Sequence, residues 1–410
     1  MAELTPEQKT ANLASFELVW STVRDRHPDP KLNGLNWQAV HDATKPLIAK
    51  ADSMDTVRTL LRAMLRKLNS SHYAIIPGDL YQPVADTAGA DPSTNSDSSA
   101  GITPVLLDGK AVVESVAPGS PAERAGIRPG MTLQGIDGAE ITPMLRLADN
   151  LKDQEGRRIV ARSVARKLDA GTRGEVLRLD VLDENGAPKH ISLERAEPPG
   201  KLVTFGNLPQ SRLIFESRRL PGGAGYIHFN EFLDPVSLMP QFEAAVKEFA
   251  TGPGIILDLR GNPGGIGVMA MGIAGFFIDK RGLKLGEMKM RETTLKFVVF
   301  PRAETYEGKL AILLDAGSAS TTEILAQGLQ DLKRARIFGS RSAGAALPSD
   351  IIRLPNGDGF QFAQASYTSV NGKVLEGAGV TPDVKIEQTQ QALLAGHDLV
   401  VEAAEAWISP

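Results

Sequence analysis

Apolar positions recur at helical spacing through the first seventy residues and then give way to short apolar runs. Phe16, Val19, Trp20 and Val23 form one face of a first helix, and a second starts near Trp37 and runs through Ala43. Val57, Leu60, Leu61, Met64, Leu65 and Leu68 line a third. That helix breaks at Asn69-Ser70-Ser71-His72-Tyr73, ahead of the apolar Ala74-Ile75-Ile76. Residues 84–100 are rich in Ser, Asp and Ala and predict a flexible linker. Residues 141–173 predict a helical insert bearing Arg157, Arg158, Arg162, Arg166 and Lys167, whose default reading is a solvated face. Val176 to Leu193 predicts a hairpin around Asn185-Gly186, and Glu197-Pro198-Pro199-Gly200 a linker. Strands and helices alternate beyond it, the pattern of an α/β fold, and residues 388–408 predict a closing helix.

Two strand–turn–helix units in this last region carry candidate chemistry. The apolar run Leu310 to Leu314 leads into Gly317-Ser318-Ala319-Ser320-Thr321-Thr322-Glu323, so a buried strand ends in a small-residue turn and a helix starts at a hydroxyl. Backbone N–H groups and the positive helix end beside Ser320 can stabilise an oxyanion. The same Ser320-x-x-Glu323 is also an ordinary capping box, and alone that is the better reading. Upstream, Gly254 to Arg260 reads as a strand entering Gly261-Asn262-Pro263-Gly264-Gly265, followed by an apolar helix from Ile266 to Ile278. Glycines there let the chain turn sharply and present N–H groups to a ligand. Nucleotide phosphate is a poor fit, because the Walker Gly-Lys-Ser/Thr ending and the G-x-G-x-x-G spacing are both missing. The other use is the second arm of an oxyanion hole.

Joined with Arg336-Ile337-Phe338-Gly339-Ser340-Arg341-Ser342-Ala343-Gly344 and Glu376-Gly377-Ala378-Gly379-Val380-Thr381-Pro382-Asp383, these blocks resemble the core of the tail-specific (C-terminal-processing) serine peptidases. That family includes the tricorn protease core and retinoid-binding repeats, and the resemblance covers residues 200–390. It implies an α/β sheet core of the tail-specific protease, ClpP/crotonase-like type, Ser320 as nucleophile of an acyl-enzyme mechanism, and no cofactor or metal. The tail-specific branch uses a lysine base in a Gly-x-x-x-x-Gly-Lys-Gly block. Aligned on Gly339 and Gly344, this chain has Ala345 at that place. Lys333 lies thirteen residues beyond Ser320 on the same predicted helix, about 20 Å along its axis, too far to serve. The tricorn-like branch takes a histidine from upstream, after an amphipathic helix, which here is His72. The resemblance further implies that Ser71 and Glu376 hold the imidazole, and that the oxyanion donors are the backbone N–H of Thr321 and of Gly264 or Gly265. Two positions depart from the family pattern: Ser70 replaces an acidic residue and Tyr73 a threonine.

Of the other histidines, only His228, on the predicted strand Tyr226 to Phe229, is a rival. His27 reads as part of a polar turn, His41 as a surface-helix residue, His190 as facing water and His397 as part of the C-terminal helix. No pair has metal-ligand spacing and there is no cysteine, so a zinc site is not expected.

Ala111 to Met131, with its Ser-Pro-Ala-x-x-Ala-Gly-x-x-Pro-Gly run, resembles a PDZ domain. Such domains capture extended peptide ends by strand addition. The resemblance puts the carboxylate loop at Gly101-Ile102-Thr103, where the following Pro104 removes one donor.

Composition then bounds the class. At 410 residues, two or three domains are expected. The boundaries read as 1–83 (helical, carrying the histidine), 84–100 (linker), 101–197 (PDZ-like, with the insert), 198–390 (peptidase core) and 391–410 (C-terminal helix). A net charge of −4 offers no basic patch for nucleic acid, and no run reaches the ~20 apolar residues of a membrane span. Met1-Ala2-Glu3-Leu4 is polar, so no signal peptide is read. Exported relatives of the resembled family nonetheless make a periplasmic or secreted mature form the expectation, with the cytoplasm as the alternative. The expected function is a serine peptidase acting on unstructured or C-terminal polypeptide segments, with a homo-oligomer left open. A Ser–His esterase of small esters or short peptides and a non-catalytic ligand-binding relative are the alternatives.

Overall fold

The computed structural model describes residues 4–78, 98–150, 154–204 and 210–409. Three helices open the chain: α1 (Pro6–Arg26), α2 (Trp37–Ala49) and α3 (Met54–Arg66). α1 starts at a reciprocal Thr5/Gln8 capping box, and α2 runs six residues past its expected end at Ala43. Their apolar faces meet as the spacing predicts, burying Phe16, Val19, Val23, Trp37, Val57, Leu61 and Met64 in one cluster. Trp20 and Trp37 each donate an indole N–H to the other's backbone carbonyl at 3.0 Å, so both rings are packed without an orphan donor. A short strand, β1 (Ala74–Ile76), follows the His72 turn.

The second unit contains β2 (Ile102–Leu107), β3 (Lys110–Val116), α4 (Pro121–Arg124), β4 (Thr132–Ile136), β5 (Ala139–Glu140), α5 (Thr142–Asn150), α6 (Gln154–Asp169), β6 (Val176–Leu182) and β7 (Pro188–Glu194). Its sheet runs β2-β3-β4-β6-β7, with β5 on β4. The expected insert proves integral to this unit. Val164 and Leu168 of α6 are buried with Ile102, Leu133 and Leu177, while Arg166 and Lys167 are exposed as a solvated face should be. The expected linker is shorter than its predicted bounds. Residues 84–97 lie outside the described residues, but Ser99 bridges to Ala196, and Ser98 Oγ donates to the carbonyls of Asp169 and Gly171 at 3.0 Å. Residues 98–100 therefore belong to the PDZ-like unit.

The third unit begins with the two-stranded ribbon β8 (Lys201–Val203) and β9 (Ser211–Leu213). There follow β10 (Phe215–Arg219), β11 (Gly225–Phe229), α7 (Pro235–Phe249), β12 (Gly254–Asp258), α8 (Gly267–Ala274), β13 (Lys284–Lys289), β14 (Thr294–Val298) and β15 (Lys309–Leu314). The chain closes with α9 (Thr321–Asp331), β16 (Arg336–Gly339), β17 (Ser349–Arg353), β18 (Gly359–Ala363), β19 (Ser366–Ser369), β20 (Val384–Lys385), α10 (Gln390–Leu394) and α11 (Leu399–Ile408). The main sheet has the order β10-β11-β12-β15-β16-β20 and is parallel except at β10. Residues alternate between two buried faces. Ile255, Leu257, Ile312 and Leu314 pack under α7, α8 and α9, while Ile256, Ala311, Leu313 and Phe338 pack against α11. Burial on both faces is why β12 and β15 read as unbroken apolar runs. The single closing helix expected over 388–408 is two helices, separated at Gly396 (φ 80°) and restarted by the Asp398 side chain, which caps α11.

A separate three-stranded sheet, β1-β18-β17, fastens the N-terminal helices to the core. Ala74 pairs with Gln361 and Ile75 with Phe360, while Phe360 and Phe362 fill the helical cluster. The hairpin turn adds a buried ion pair. Asp358 accepts from Arg58 Nη2 of α3 at 2.8 Å and from the Gly78 N–H at 2.8 Å. The His72 turn is thus held at both ends, through α3 and through β1. Asp358→Ala removes the buried acceptor of Arg58 Nη2 and of the Gly78 amide, while Arg58 keeps its exposed partner Asp55, and is expected to cost about 3 kcal/mol in a urea or guanidinium unfolding titration. A loss below about 0.5 kcal/mol, the range of an ordinary surface change, would show the bolt to be unimportant.

Candidate active site

The parallel pairing of β12 with β15 places their carboxyl ends side by side, where open α/β sheets bind ligands. The turns leaving those strands are sewn together. Asp315 Oδ1 accepts from the N–H of Gly261, Gly317 and Ser318 at 2.8–3.0 Å. Ser318 Oγ donates to the Leu259 carbonyl, the Ala319 N–H donates to the Asn262 carbonyl, and Thr322 Oγ1 donates to the same carbonyl at 3.0 Å. Small residues are needed because the two backbones touch. A Cβ on Gly264, whose φ is 101°, would lie 2.8 Å from Ser320 Cβ and 2.9 Å from the Thr321 nitrogen.

Ser320 itself has φ 55° and ψ −119°, a backbone state that a non-glycine residue adopts only when its surroundings enforce it. The enforcement is visible. Its N–H donates to the Ala345 carbonyl at 2.9 Å and to Glu323 Oε2 at 3.0 Å. Glu323 is completely buried and also accepts from the N–H of Gly344 (2.8 Å) and Ala345 (2.9 Å) and from the Ser342 hydroxyl (2.5 Å). Burial pushes its carboxyl above the ordinary value, and the Ser342 and backbone hydrogen bonds oppose that push. The residue read as half of a capping box is thus the anchor of the strap 340–346 that crosses the Ser320 turn. The return bond to the Ser320 N–H was legible in the Ser-x-x-Glu spacing; the three distant donors were not.

The strap reaches the histidine. Ala346 N–H donates to Glu376 Oε2 at 3.3 Å. Glu376 also accepts from the Ser71 N–H at 2.6 Å and from the Ser71 hydroxyl at 2.9 Å. Ser71 Oγ lies 2.7 Å from His72 Nδ1. His72 has φ 60°, a second enforced left-handed residue. The structure therefore brings Ser71, His72 and Glu376 into one hydrogen-bonded row, although Glu376 is about three hundred residues from the other two in sequence. Lys333 sits exposed beyond the last turn of α9. His228 is engaged elsewhere, with Nδ1 at 3.0 Å from the Asp258 carbonyl. His27 is buried, not part of an open polar turn: its ring stacks on Tyr73 at 5.8 Å, immediately beside His72. His41 is no plain surface residue either. It packs against Phe16 and Trp20 with Nε2 at 3.1 Å from Glu17. His397 lies between α10 and α11 and pairs with Glu402.

Of the two candidate glycine donors, Gly264 spends its N–H on Asn262 Oδ1 at 2.9 Å. Gly265 is exposed, and its carbonyl accepts from Thr321 Oγ1 at 2.8 Å, so it stays close to the start of α9. In the PDZ-like unit, Gly101 has its N–H on Ser99 Oγ at 3.0 Å, and Ile102 and Thr103 open β2.

This unit also touches the site's back. Gln390 of α10 donates to the Gly130 carbonyl (2.9 Å) and to Thr132 Oγ1 (2.8 Å), and Asp398 pairs with Arg260, which in turn holds Asp258. Glu114 of β3 faces Asp315, Asp258, Asp398 and Arg260. Burial pushes its carboxyl up to about 7, Asp315 adds to the push and Arg260 opposes it. A folded-state value above the ordinary 4.5 means that Glu114 stabilises most when protonated, and that this contribution is lost as pH rises from about 4.5 through 7. Melting curves between pH 5 and 8 should show wild type losing stability relative to Glu114→Gln as pH rises. Parallel curves would contradict it.

Residues 223–386 match peptidase family S41, residues 10–66 the tricorn protease C1 domain and residues 112–166 a PDZ domain. Residues 223–386 are thus similar to the core of the family S41 peptidases. Curated relatives include a carboxy-terminal-processing protease of Bartonella bacilliformis, 29% identical over 46% of this chain and 44% of that one. A chloroplastic C-terminal processing peptidase of Tetradesmus obliquus is 26% identical over 94% of this chain and 80% of its own length. Among solved structures, the photosystem II D1 C-terminal processing protease superposes with a TM-score of 0.57 at 22% identity, covering 94% of each chain. The tricorn protease gives 0.54 at 16% identity, covering 98% of this chain and 37% of that one. Segments similar to the tricorn C1 domain, a PDZ domain and the S41 core thus follow one another in this chain, and His72 lies just past the tricorn-like segment.

Proposed function

We propose that this chain is a serine peptidase that hydrolyses unstructured or C-terminal polypeptide segments through an acyl-enzyme, with Ser320 as nucleophile and His72 as general base. The hydrogen-bonded row from Glu376 through Ser71 to His72 carries the reading, because it fixes the imidazole in one tautomer. The Ser71 hydroxyl gives its proton to Glu376, so its lone pair accepts from His72 Nδ1–H. Nε2 is then left as the basic nitrogen. Ser320 Oγ attacks the peptide carbonyl carbon while its proton passes to Nε2. The carbonyl oxygen takes the negative charge, held by the N–H of Gly265 and Thr321 at the start of α9. Nε2 then hands the proton to the departing amine, and water repeats the sequence on the acyl-enzyme. Through Ser71, Glu376 favours the imidazolium formed in each half.

The PDZ domain supports the choice of polypeptide over small ester, since such a domain presents a strand edge to an extended chain end. With the Gly101 amide already bonded, carboxylate capture falls to Ile102 and Thr103. The test compares an unstructured polypeptide with a free carboxyl end, its amidated twin and a small acetate ester, using wild type and Ser320→Ala. The reading requires cleavage of the free-ended chain by wild type alone, faster than that of its twin. Ester turnover without cleavage of either polypeptide would favour the small-substrate hydrolase.

A further inference from the structure

We infer that the S41 core selects an apolar side chain on the acyl side of the scissile bond, in a cleft between the Ile266–Val268 segment and the β13–β14 ribbon. The inference rests on the Ser320 reading and adds a substrate class to it. Its first ground is continuity. If the Gly265 N–H holds the scissile carbonyl oxygen, the residues that follow in the chain flank the side chain attached next to that carbonyl. Those residues are Ile266, which is half-buried, Gly267, and Val268, which is 52% exposed.

The second ground is what stands opposite them. Gly267 lies against the Phe297 ring, close enough that an added Cβ would sit 3.2 Å from it. Strand alternation puts Leu295 on the Phe297 face of β14. On β13 the partner of Leu295 is Met288, whose other partner is the buried Tyr367 of β19. Phe297 meets Tyr367 edge to face at 5.8 Å, which confirms that these side chains share the face packed towards α8 and α9. Along that rung burial falls outward: Tyr367 is buried, Met288 half-buried and Leu295 52% exposed. One exposed apolar side chain on each element, Val268 next to Gly267 and Leu295 two residues before Phe297, therefore flanks the Gly267–Phe297 contact.

The third ground is charge. Glu287 and Lys296 pair across the same two strands but on the opposite face, with Lys284 bonded to Glu287. The ribbon's charged residues thus point away from Gly265, and the face towards it offers a methionine, a leucine and a phenylalanine. A charged substrate side chain there would lose hydration with no partner, whereas an apolar one removes exposed surface on both sides. The thioether of Met288 can repack around several shapes, so the cleft favours apolar residues as a class over one particular residue.

The test uses matched unstructured peptides that differ only at the residue on the acyl side, carrying Leu, Phe, Lys or Asp. Wild type should cleave the Leu and Phe peptides on the order of 10²-fold better in kcat/KM than the charged ones. Leu295→Asp changes an exposed position, so the fold should persist. It should lower kcat/KM on the Leu peptide by about tenfold or more and raise it on the Lys peptide. Leu295→Lys should do the same in favour of Asp, while Lys296→Asp, on the other face, should leave the order of preference intact. Wild-type cleavage that ignores the residue, or a profile unmoved by both Leu295 variants, overturns the cleft. Fluorophosphonate labelling of wild-type Ser320 separates the two failures. Labelling with an unmoved profile removes only the cleft, and no labelling removes the nucleophile and the cleft together.

Discussion

His72→Ala is expected to lower kcat on peptide substrates by about 10²–10⁴-fold while KM changes little, because the imidazole moves a proton and does not hold the substrate. Lys333→Ala should leave both constants unchanged. The contrast follows from position. His72 is held at Nδ1 by Ser71, which is itself held twice by Glu376, and Glu376 touches the strap that bonds the Ser320 N–H. Lys333 is exposed past the end of α9, and at Ala345 only the backbone contributes, through an N–H on Glu323 and a carbonyl on Ser320. Steady-state kinetics on one peptide decides between them. A large loss with Lys333→Ala and a small one with His72→Ala would return the chain to a lysine mechanism.

The second large effect belongs to Glu323. Replacement by alanine strips the acceptor from four donors at once: the N–H of Ser320, Gly344 and Ala345 and the Ser342 hydroxyl. Buried groups left unbonded cost about 1–3 kcal/mol each, and such losses within one network do not simply add. A destabilisation of about 3–5 kcal/mol is expected for the set. Turnover should fall further than stability explains, since the enforced backbone of Ser320 loses one of its two restraints. Glu323→Gln keeps the shape but turns one acceptor into a donor facing N–H groups, so it should keep more stability and still lose activity. The pH behaviour gives an independent sign. With its carboxyl raised by burial above the ordinary 4.5, Glu323 stabilises fully below that value, and the contribution is lost as pH rises through the raised one. Glu323→Gln should lack that slope in melting curves. If Glu323→Ala folds and turns over like wild type, the strap plays no part in shaping the site.

Local chemistry was legible in the sequence and long-range closure was not. The Ser320 turn, the glycine turn and the helix ahead of His72 are each written in a few adjacent residues, whose spacing sets strand, turn or helix. Glu376 could be assigned through family resemblance alone, because nothing local to Glu376-Gly377 predicts a bond to Ser71. Glu323 was visible as a cap, yet its bonds to residues 342, 344 and 345 depend on how the chain leaving β16 folds back over β15. The helix α6 reads as an addition because basic residues dominate its sequence, while its contribution to the PDZ core rests on Val164 and Leu168. The apolar pattern of 388–408 reads as one unbroken helix, but Gly396 stops the first and the Asp398 side chain starts the second. His27 read as polar from its neighbours in sequence, and only the packing of α1 against the His72 turn shows it stacked on Tyr73.

The central claim is that Ser320 is made nucleophilic by a histidine that precedes the PDZ domain and lies about 250 residues before the serine in sequence. Labelling with a fluorophosphonate probe tests it most directly, in wild type, Ser320→Ala and His72→Ala. The account predicts labelling of wild type at Ser320, none in the first variant and nearly none in the second. Undiminished labelling of His72→Ala, or none of folded wild type, would contradict it.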